Sequence, residues 1–392
     1  MQFIHGVIHT MEGEVFEDVY LTTNGSVIES VGPMDNLSQI KADAVDLNGA
    51  SVYPGFIDAH CHIGICEDGL GFEGEDVNEE THPLTPQMRA IDAVNFLDDC
   101  FAEAVDSGVT TVLTGPGSAN PIGGQWLAMK TYGRCMEEMA FADPVGMKFA
   151  FGENPKVSYN AKNMSPMTRM ATAALIRKQL QKARNYIEDI RRAEEDDELD
   201  EPEFDEKCEA LIPVLKGEMK AFMHAHRADD IMTALRIAKE FSLDAVIVHA
   251  TEGYKIADLL AERDAKIITG PIICDRSKPE LKGLTPKNAA ILAQHGIKAA
   301  VCTDHPVIPI QYLPLSAAIC EKEGLSHQAA LESITIRAAE IAGIDARVGS
   351  LKAGKDADFC VFPSDPLTVS ASPSMVVIGG VVVKNRKDGG NA

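Results

Sequence analysis

Short apolar runs recur through the middle of this sequence, and segments of helical composition follow them. Seven runs are clear and WLAMKTYG (126–133) is a weaker eighth, the seven being GFIDAHCH (55–62), TTVLTG (110–115), GMKFAFGE (146–153), MKAFMHAH (219–226), DAVIVHAT (244–251), KIITGPII (266–273) and KAAVCTDH (298–305). Buried strands that alternate with helices form a parallel sheet. Eight such units in about 290 residues predict an α/β protein built on a (β/α)8 TIM barrel with insertions. A doubly wound open sheet is the alternative.

Several of the predicted helices have recognisable ends. Thr285 and Pro286 open the segment KNAAILAQH, which Gly296 closes. Ser326 precedes HQAALESITIRAAEIA, which ends at Gly343. We therefore expect one helix between each pair of signals.

The two ends of the chain differ from its middle. Residues 1–52 alternate apolar and polar positions, with a tight-turn signal at Asn24 and Gly25. The segment after Gly349 contains Val-rich runs broken by Gly and Pro. Both ends are predicted to form strands that flank the barrel.

Composition limits the partners and the compartment. The chain has 392 residues, 45% of them hydrophobic, and 36 Lys and Arg against 59 Asp and Glu give a net charge of −23. This charge disfavours nucleic acid and anionic membranes as partners. The nine cysteines form no C-x-x-C pair, and the N-terminus has no basic start followed by an apolar run. We expect a cytoplasmic protein that neither enters a membrane nor binds nucleic acid.

Metal-binding residue types stand where several predicted strands end. His60 and His62 lie two residues apart on one strand, so both imidazoles point to the same side. His224, His249 and Asp304 each end another run. Because the carboxyl ends of parallel barrel strands open onto one face, these side chains are predicted to converge on one metal ion.

These motifs together resemble the amidohydrolase superfamily over nearly the whole chain. The motifs are PGFIDAHCH (54–62), GVTTV (108–112), HAHRADDI (224–231), VHATEGY (248–254), TDHPVIP (303–309) and GSLKAGKDADFCVF (349–362). The likeness is greatest to imidazolonepropionase-related and dipeptidase-like members. It implies a barrel over 54–345 and a small β-sandwich domain formed by 1–53 and 346–392.

The resemblance also implies roles for the residues at the strand ends. His60, His62, His224 and Asp304 match metal ligands, and Asp304 also handles protons. His249 matches a residue that binds a second metal ion or contacts the substrate.

Lys148 is the candidate for a fourth-strand lysine that is carbamylated and bridges two ions in two-metal members. Ion pairing near the mouth is the alternative role for this lysine. An imidazole-rich site favours zinc, as one ion or two, with iron, manganese, cobalt and nickel as alternatives.

A metal-bound water activated in this way predicts a hydrolase of carbon–nitrogen bonds. Its substrate is expected to be a small amide, cyclic amide or peptide-like molecule, and a dipeptidase is included. Asp304 would carry protons, and the metal ion or His249 would stabilise the oxyanion. The alternatives are a deaminase of the same superfamily and an inactive barrel that serves as a binding or assembly protein. The resemblance also implies a homo-oligomer.

Other residues are candidates for substrate binding. Arg227 occupies a position where related deaminases and imidazolonepropionases carry a proton-transferring glutamate, which disfavours those activities. With His226 it is predicted to hold a substrate carboxylate, and pairing of Arg227 with Asp229 or Asp230 is the alternative. Gln125 and His305 are further candidates near the mouth.

Two further segments are acidic. The loop 64–89 is predicted to lie at the surface, to cover the pocket or to contact a cationic group of the substrate. The acidic run 193–209 is expected to be a solvated surface segment.

Overall fold

The computed structural model describes residues 1–13 and 15–386, which form two eight-stranded sheets. Strands before the barrel are β1 (Gln2–His9), β2 (Val15–Asn24), β3 (Val27–Pro33), β4 (Val45–Asp46) and β5 (Ser51–Pro54). Barrel strands are β6 (Phe56–Cys61), β7 (Val109–Thr114), β8 (Ile122–Lys130), β9 (Ala140–Ala150), β10 (Lys220–Ala225), β11 (Ala245–His249), β12 (Lys266–Thr269) and β13 (Ala300–Val301). After the barrel come β14 (Phe359–Phe362), β15 (Met375–Ile378) and β16 (Val381–Asn385).

Helices occupy much of the chain between the barrel strands. The α-helices are α1 (Cys100–Ser107), α2 (Met136–Met139), α3 (Glu153–Asn160), α4 (Arg169–Glu195), α5 (Glu206–Glu209), α6 (Ile212–Leu215), α7 (Ala228–Phe241), α8 (Ala257–Ala261), α9 (Asn288–Gln294), α10 (Leu313–Lys322), α11 (His327–Ser333) and α12 (Ile336–Ala342). Short 3-10 helices are Met34–Asn36, Gly71–Gly74, Ala90–Asp92, Gly253–Ile256, Pro279–Leu281 and Ile310–Tyr312. Over the described part of the chain, no helix is long and apolar enough to cross a membrane.

The barrel sheet runs in the order β6 to β13, and its two end strands meet. The Asp304 amide donates to the His60 carbonyl (3.1 Å) and the His62 amide donates to the His305 carbonyl (2.8 Å). These bonds bring the first and last strands together just where the predicted metal ligands lie. The α/β class and the barrel are confirmed.

One strand runs against the predicted direction. β8, which contains the first part of the run 126–133, pairs antiparallel with both β7 and β9. Only the segment 115–121, with two Gly and two Pro, separates β7 from β8. A connection this short holds no crossover helix, so the chain turns back. The expectation of parallel pairing throughout was wrong for this strand.

The flanking sheet combines both ends of the chain, in the order β16-β15-β14-β5-β1-β2-β3, with β4 beside β1. The predicted turn at Asn24 and Gly25 joins β2 to β3, and Gly25 has a φ of 58°. The N-terminal strands are not all antiparallel, because β4 and β5 pair with β1 in parallel. The strand-rich flanking domain is therefore confirmed. The boundaries at residues 53 and 345 stay predictions, and the last of the predicted segments includes 387–392, which lie outside the described residues.

The capping residues in the sequence predicted most of the helix ends correctly. Ser326 caps α11 by accepting from the Ala329 amide, and Gly343 ends α12 with a φ of 76°. The single helix expected between them is two helices, since the chain breaks at Ile334 and Thr335. The helix expected from Thr285 begins slightly later, as α9.

A buried ion cluster joins the barrel to the flanking domain. Lys130, at the end of β8, contacts the carboxylates of Asp358 and Asp356, the latter at 2.8 Å. Arg347 also pairs with Asp356 (2.8 Å). Lys130 and Asp358 are both buried, so each charge depends on its partner.

We predict that Lys130→Met destabilises the protein by about 3–5 kcal/mol, because it leaves the buried Asp358 carboxylate without its cation, whereas Asp356 keeps Arg347. Urea unfolding measures the change. The matched control is Lys352→Met, which removes an exposed lysine 3.6 Å from Glu12. This control should lower the free energy of unfolding by less than about 1 kcal/mol. Equal stability of the two variants would contradict this account.

Candidate metal centre

The candidate ligands reach the centre from separate barrel strands. His60 lies in β6 and His62 follows it. His224 and His249 lie at the carboxyl ends of β10 and β11, and Asp304 follows β13. The barrel therefore gathers side chains that are up to 244 positions apart in the chain, which is the separation of His60 and Asp304.

Two imidazoles and a carboxylate form the first group of donors. Asp304 Oδ1 lies 3.3 Å from His60 Nε2 and 3.4 Å from His62 Nε2. The Lys148 Nζ, on β9, lies 3.4 Å from the same His60 nitrogen. The two histidine nitrogens and the Asp304 oxygen are close enough to share one ion.

Three further imidazoles adjoin the first group. His224, His226 and His249 each bring a ring nitrogen within 4.8 Å of the others. The rings of His249 and His60 are 5.1 Å apart, centre to centre. The site is thus large enough for one ion or for two.

Backbone carbonyls fix the tautomers of two imidazoles. His62 Nδ1 donates to Gly115 O and His249 Nδ1 donates to Gly270 O, both at 2.7 Å. Since a carbonyl only accepts, each Nδ1 carries the hydrogen and each Nε2 keeps its lone pair for an ion. His224 Nδ1 is buried and has no hydrogen-bond partner among the residues that the structure describes. Such donors fit a divalent transition-metal ion.

Burial keeps the imidazoles of His60, His224 and His249 neutral. It lowers the pKa of His249 to about 4 and holds the pKa of His60 and His224 well below the usual value. Burial alone would raise the pKa of Asp304, but the facing histidines His249, His60 and His62 hold it well below its usual value. Neutral imidazoles and an ionised carboxylate are the forms that bind metal.

Lys148 is almost completely buried, and burial lowers its pKa to about 7. Its ammonium therefore loses a proton far more readily than that of a surface lysine. This is the condition under which the amine can act as a nucleophile or become part of a ligand.

His226 differs from its two neighbours in geometry. Its ring is stacked on that of His249, with the centres 4.5 Å and the planes 12° apart. An imidazole binds a metal ion in its own plane, and two nearly parallel planes share no point close to both rings. The two rings therefore do not bind one ion together. His226 Nδ1 contacts Thr251 Oγ1 (2.7 Å), and its Nε2 lies 3.6 Å from Glu280.

A cavity of about 220 Å³ is lined by His62, His224, His249 and Asp304. The other predicted substrate contacts are not part of its lining. Arg227 makes a two-pronged ion pair with Asp229, with both nitrogen–oxygen distances 2.9 Å, and lines a separate groove. Gln125 donates to the Pro86 carbonyl (3.2 Å). His305 is buried and its Nδ1 accepts from the Ile310 amide (3.2 Å).

Several residues near the centre were not predicted. Trp126, the chain's single tryptophan, stacks on His60 with the ring centres 4.3 Å apart. Asp58 is buried and accepts from the His60 and Thr303 amides, at 3.2 and 3.1 Å. The position of Asp58 two residues before His60 was the available signal, since both side chains leave β6 on one side.

Lys278, Glu280 and Asn154 were also missed. Asn154 lies in the first turn of α3, and Lys278 and Glu280 lie at a short 3-10 helix after β12. The sequence has no motif at these positions, and only the fold brings them to the site. Two ligands also have backbone that favours glycine: φ is 74° at His249 and 57° at Asp304. Strain at such positions is typical of side chains that are held for function.

Comparison with known proteins gives one family. A model of the amidohydrolase family matches residues 51–383. The amidohydrolase tasK of Hapsidospora irregularis is 31% identical over 373 residues, which cover 88% of this chain and 37% of that protein. An imidazolonepropionase of Pseudomonas putida is 24% identical over 392 residues, covering 88% and 87%. The crystal structure of an amidohydrolase from Thermotoga maritima has a TM-score of 0.94 and 39% identity, covering 98% of this chain and all of that one.

The ring geometry predicts different metal contents for two variants. His224→Asn should lose zinc from zinc-loaded, dialysed protein, because the change removes one of the imidazoles that could hold an ion at the centre. His226→Asn should retain the wild-type zinc content, because that ring is not in position to share an ion with His249. Atomic emission spectrometry measures both. Similar zinc loss in the two variants would show that the stacked ring is a ligand after all.

A pH dependence follows from His305. Burial lowers its pKa to about 4, and the Ile310 amide already occupies the Nδ1 lone pair. The unfolded chain therefore takes up a proton near pH 6.5 that the folded chain refuses until about pH 4. In metal-free protein this contribution to stability is complete above pH 6.5 and is lost as the pH falls towards 4.

We predict that His305→Gln flattens this dependence. Over that pH interval its free energy of unfolding should fall less steeply than that of wild type, by up to about 1.4 kcal/mol per pH unit. Urea unfolding of both chelator-treated proteins at several pH values measures the slopes. Parallel slopes would mean that His305 titrates normally in the folded protein.

Proposed function

The chain belongs to the amidohydrolase family, and we propose that it uses a divalent metal ion to hydrolyse a carbon–nitrogen bond in a small amide, cyclic amide or peptide-like molecule. Zinc is the proposed ion, with iron, manganese, cobalt and nickel as alternatives that suit the same nitrogen and oxygen donors. One ion or two are compatible with the site. The family supports hydrolysis of carbon–nitrogen bonds in general, and the substrate class is the proposed part.

The observation that carries the proposal is the meeting of neutral nitrogen donors with an ionised carboxylate. His60, His62 and Asp304 would hold one ion. His224 and His249 would serve a second. An ion bound there lowers the pKa of a coordinated water and polarises a carbonyl group.

Asp304 is the proposed proton carrier. Its carboxylate lines the cavity and is kept ionised, so it can accept a proton from the attacking water. Once protonated, the same carboxyl group can return that proton to the departing nitrogen. One side chain thus serves as base and then as acid.

His249 is better suited as a ligand than as an oxyanion donor. Its hydrogen is on Nδ1 and is given to Gly270 O, so the Nε2 that remains is an acceptor. An acceptor nitrogen repels an oxyanion and attracts a cation. This argues against one of the two roles that the sequence suggested for His249.

Lys148 is the proposed bridging group when two ions are present. Its depressed pKa leaves a large fraction of free amine near neutrality, and a free amine adds to carbon dioxide with loss of one proton. The resulting carbamate would be an anion next to His60, where a second oxygen ligand fits the donor set.

No observation favours deamination. The position three residues beyond His224 is Arg227, whose guanidinium is paired with Asp229 and cannot accept a proton. The retained donor set likewise gives no support to an inactive barrel. Hydrolysis of an amide is therefore the proposal that the site supports best.

Metal removal and one substitution test the mechanism. Chelation should abolish release of amine from a panel of N-acyl amino acids, dipeptides, lactams and hydantoins, and zinc, cobalt or manganese should restore it. Asp304→Asn should lower kcat by at least about a hundredfold, because the amide cannot take the proton. Metal content must be measured in parallel, since Asp304 is also a proposed ligand.

The control is Asp345→Asn, an exposed aspartate, which should keep wild-type kcat and metal content. Full activity in protein that is verified to be free of metal would refute the mechanism. Release of ammonia from nucleobases, without amine release from any member of the panel, would replace it with deamination.

A further inference from the structure

The cavity in front of the ligands has two chemically different walls. It encloses about 220 Å³, and His62, His224, His249 and Asp304 line one side. Elsewhere its lining includes Asn78, Ser118, Asn154 and Lys278, which come from the segments that follow four different strands, Asn154 from the first turn of α3. This second group, here called the donor wall, has no part in the proposed chemistry.

Lys278 is the cation of the donor wall. Its Nζ lies 2.8 Å from Glu280 Oε1 and 3.0 Å from Asn154 Oδ1. An ammonium group has three hydrogens to donate, so these two partners leave one for a ligand in the cavity. The side chain is 32% exposed, and an incoming molecule can therefore reach it.

Glu280 and its loop hold this cation in place. The Glu280 side chain is 1% exposed, and its other oxygen accepts from the Glu153 amide (3.1 Å). The Glu153 carboxylate in turn accepts from the Glu280 amide (3.0 Å). This reciprocal pair ties the loop after β12 to the start of α3. The ammonium is thus positioned before any ligand arrives, which lowers the entropy cost of binding.

The donor wall lies close to the reacting centre. Asn154 contacts Lys278 through its oxygen, and its nitrogen lies 3.4 Å from His224 Nε2. The same nitrogen donates to Ser118 Oγ (2.6 Å), which leaves the Ser118 hydroxyl hydrogen for another acceptor. One amide side chain therefore separates the ammonium from the ligand imidazoles.

Because the rest of the protein is acidic, a cation at this cavity indicates which kind of ligand the cavity can bind. The chain carries a net charge of −23, and the loop that contributes Asn78 to the cavity is acidic. An anionic group would be repelled from most of this surface. Arg227, the cation expected to bind it, lines a different groove and is paired with Asp229. Lys278 lines the cavity, and it can therefore bind an anionic group of the substrate in place of Arg227.

We propose that Lys278, with Ser118, binds a free carboxylate on the substrate close to the bond that is cleaved. The substrate class is then an N-acyl amino acid or a dipeptide with a free C-terminus, and not a neutral lactam. This inference rests on the proposed function, which it narrows to one kind of amide. Lys278 is a specificity-determining residue in this account, because it distinguishes an acid from its amide.

The test compares each substrate that has a free carboxylate with the corresponding neutral carboxamide. Dipeptides and N-acetyl amino acids are assayed beside their C-terminal carboxamides, with zinc-loaded wild type. We expect kcat/KM to be at least about tenfold higher for the acid, mainly through KM, as for a hydrogen bond to a charged group. Lys278→Met should remove this preference and leave the carboxamide within about threefold of wild type. Lys278→Arg should keep part of it.

The matched control is Lys282→Met, which makes the same chemical change at an exposed position of the same loop. It should keep the full preference for acids. Titration calorimetry with the same pairs gives a readout that needs no turnover, and the acid should bind more tightly than the carboxamide.

Two outcomes would overturn the inference. One is that no acid in the panel reacts faster or binds more tightly than its carboxamide. The other is that Lys278→Met weakens acids and carboxamides equally, since the lysine would then act only through Glu280. In either case the inference fails and the proposed function stands. If chelation leaves hydrolysis unchanged, the proposed function fails on its own.

Discussion

The site depends on how the barrel closes. Asp58 is buried on the first barrel strand and accepts hydrogen bonds from both the amide and the hydroxyl group of Thr303. The His60 and Asp304 backbones are also joined, by a bond of 3.1 Å. These contacts hold the first and last strands in register, so His60 and Asp304 come together although they are far apart in the chain. An unmatched carboxylate is costly in such a dry place, and the hydrogen bonds from Thr303 offset that cost.

The second constraint is the charge of the centre in the absence of an ion. Burial disfavours the charged form of these imidazoles, and the lowered pKa values of His60 and His224 leave each ring neutral, with a lone pair on one nitrogen. Two of the rings are oriented by carbonyl oxygens of the barrel itself, Gly115 and Gly270. The fold therefore determines which nitrogen faces the centre. A bound divalent cation would accept the lone pairs of these donors and balance the charge of the Asp304 carboxylate. The backbone carbonyls already orient the rings, so less entropy is lost when the cation binds.

The sequence was a good guide to whatever depends on a repeated local pattern. Strand ends carry the ligands, so a run such as DAVIVH placed His249 correctly at the end of β11. The direction of β8 was mispredicted because a strand has the same local pattern whichever way it runs, and only the short connection before it forces the reversal. Arg227 illustrates another limit. Its pairing with Asp229 depends on side-chain rotamers, and the sequence left both alternatives open. Lys278 and Glu280 could not be found, since their only signal is a meeting of loops in space.

Strands and the segments that follow them have different parts in the proposed function: the strands position the chemistry, and the segments after them select the substrate. The candidate ligands lie in barrel strands or just after them, and neighbours on both sides fix the register of those strands, so the proposed chemistry is hard to change without damage to the core. The donor wall belongs to loops and to the first turn of α3, and these segments contact one another through a few polar side chains, such as the pair formed by Glu153 and Glu280. A substitution there alters which group the cavity accepts and leaves the ligands where they are. Substrate choice in this protein is therefore to be sought in the segments after β6, β7, β9 and β12, where Lys278 places a cation at the cavity.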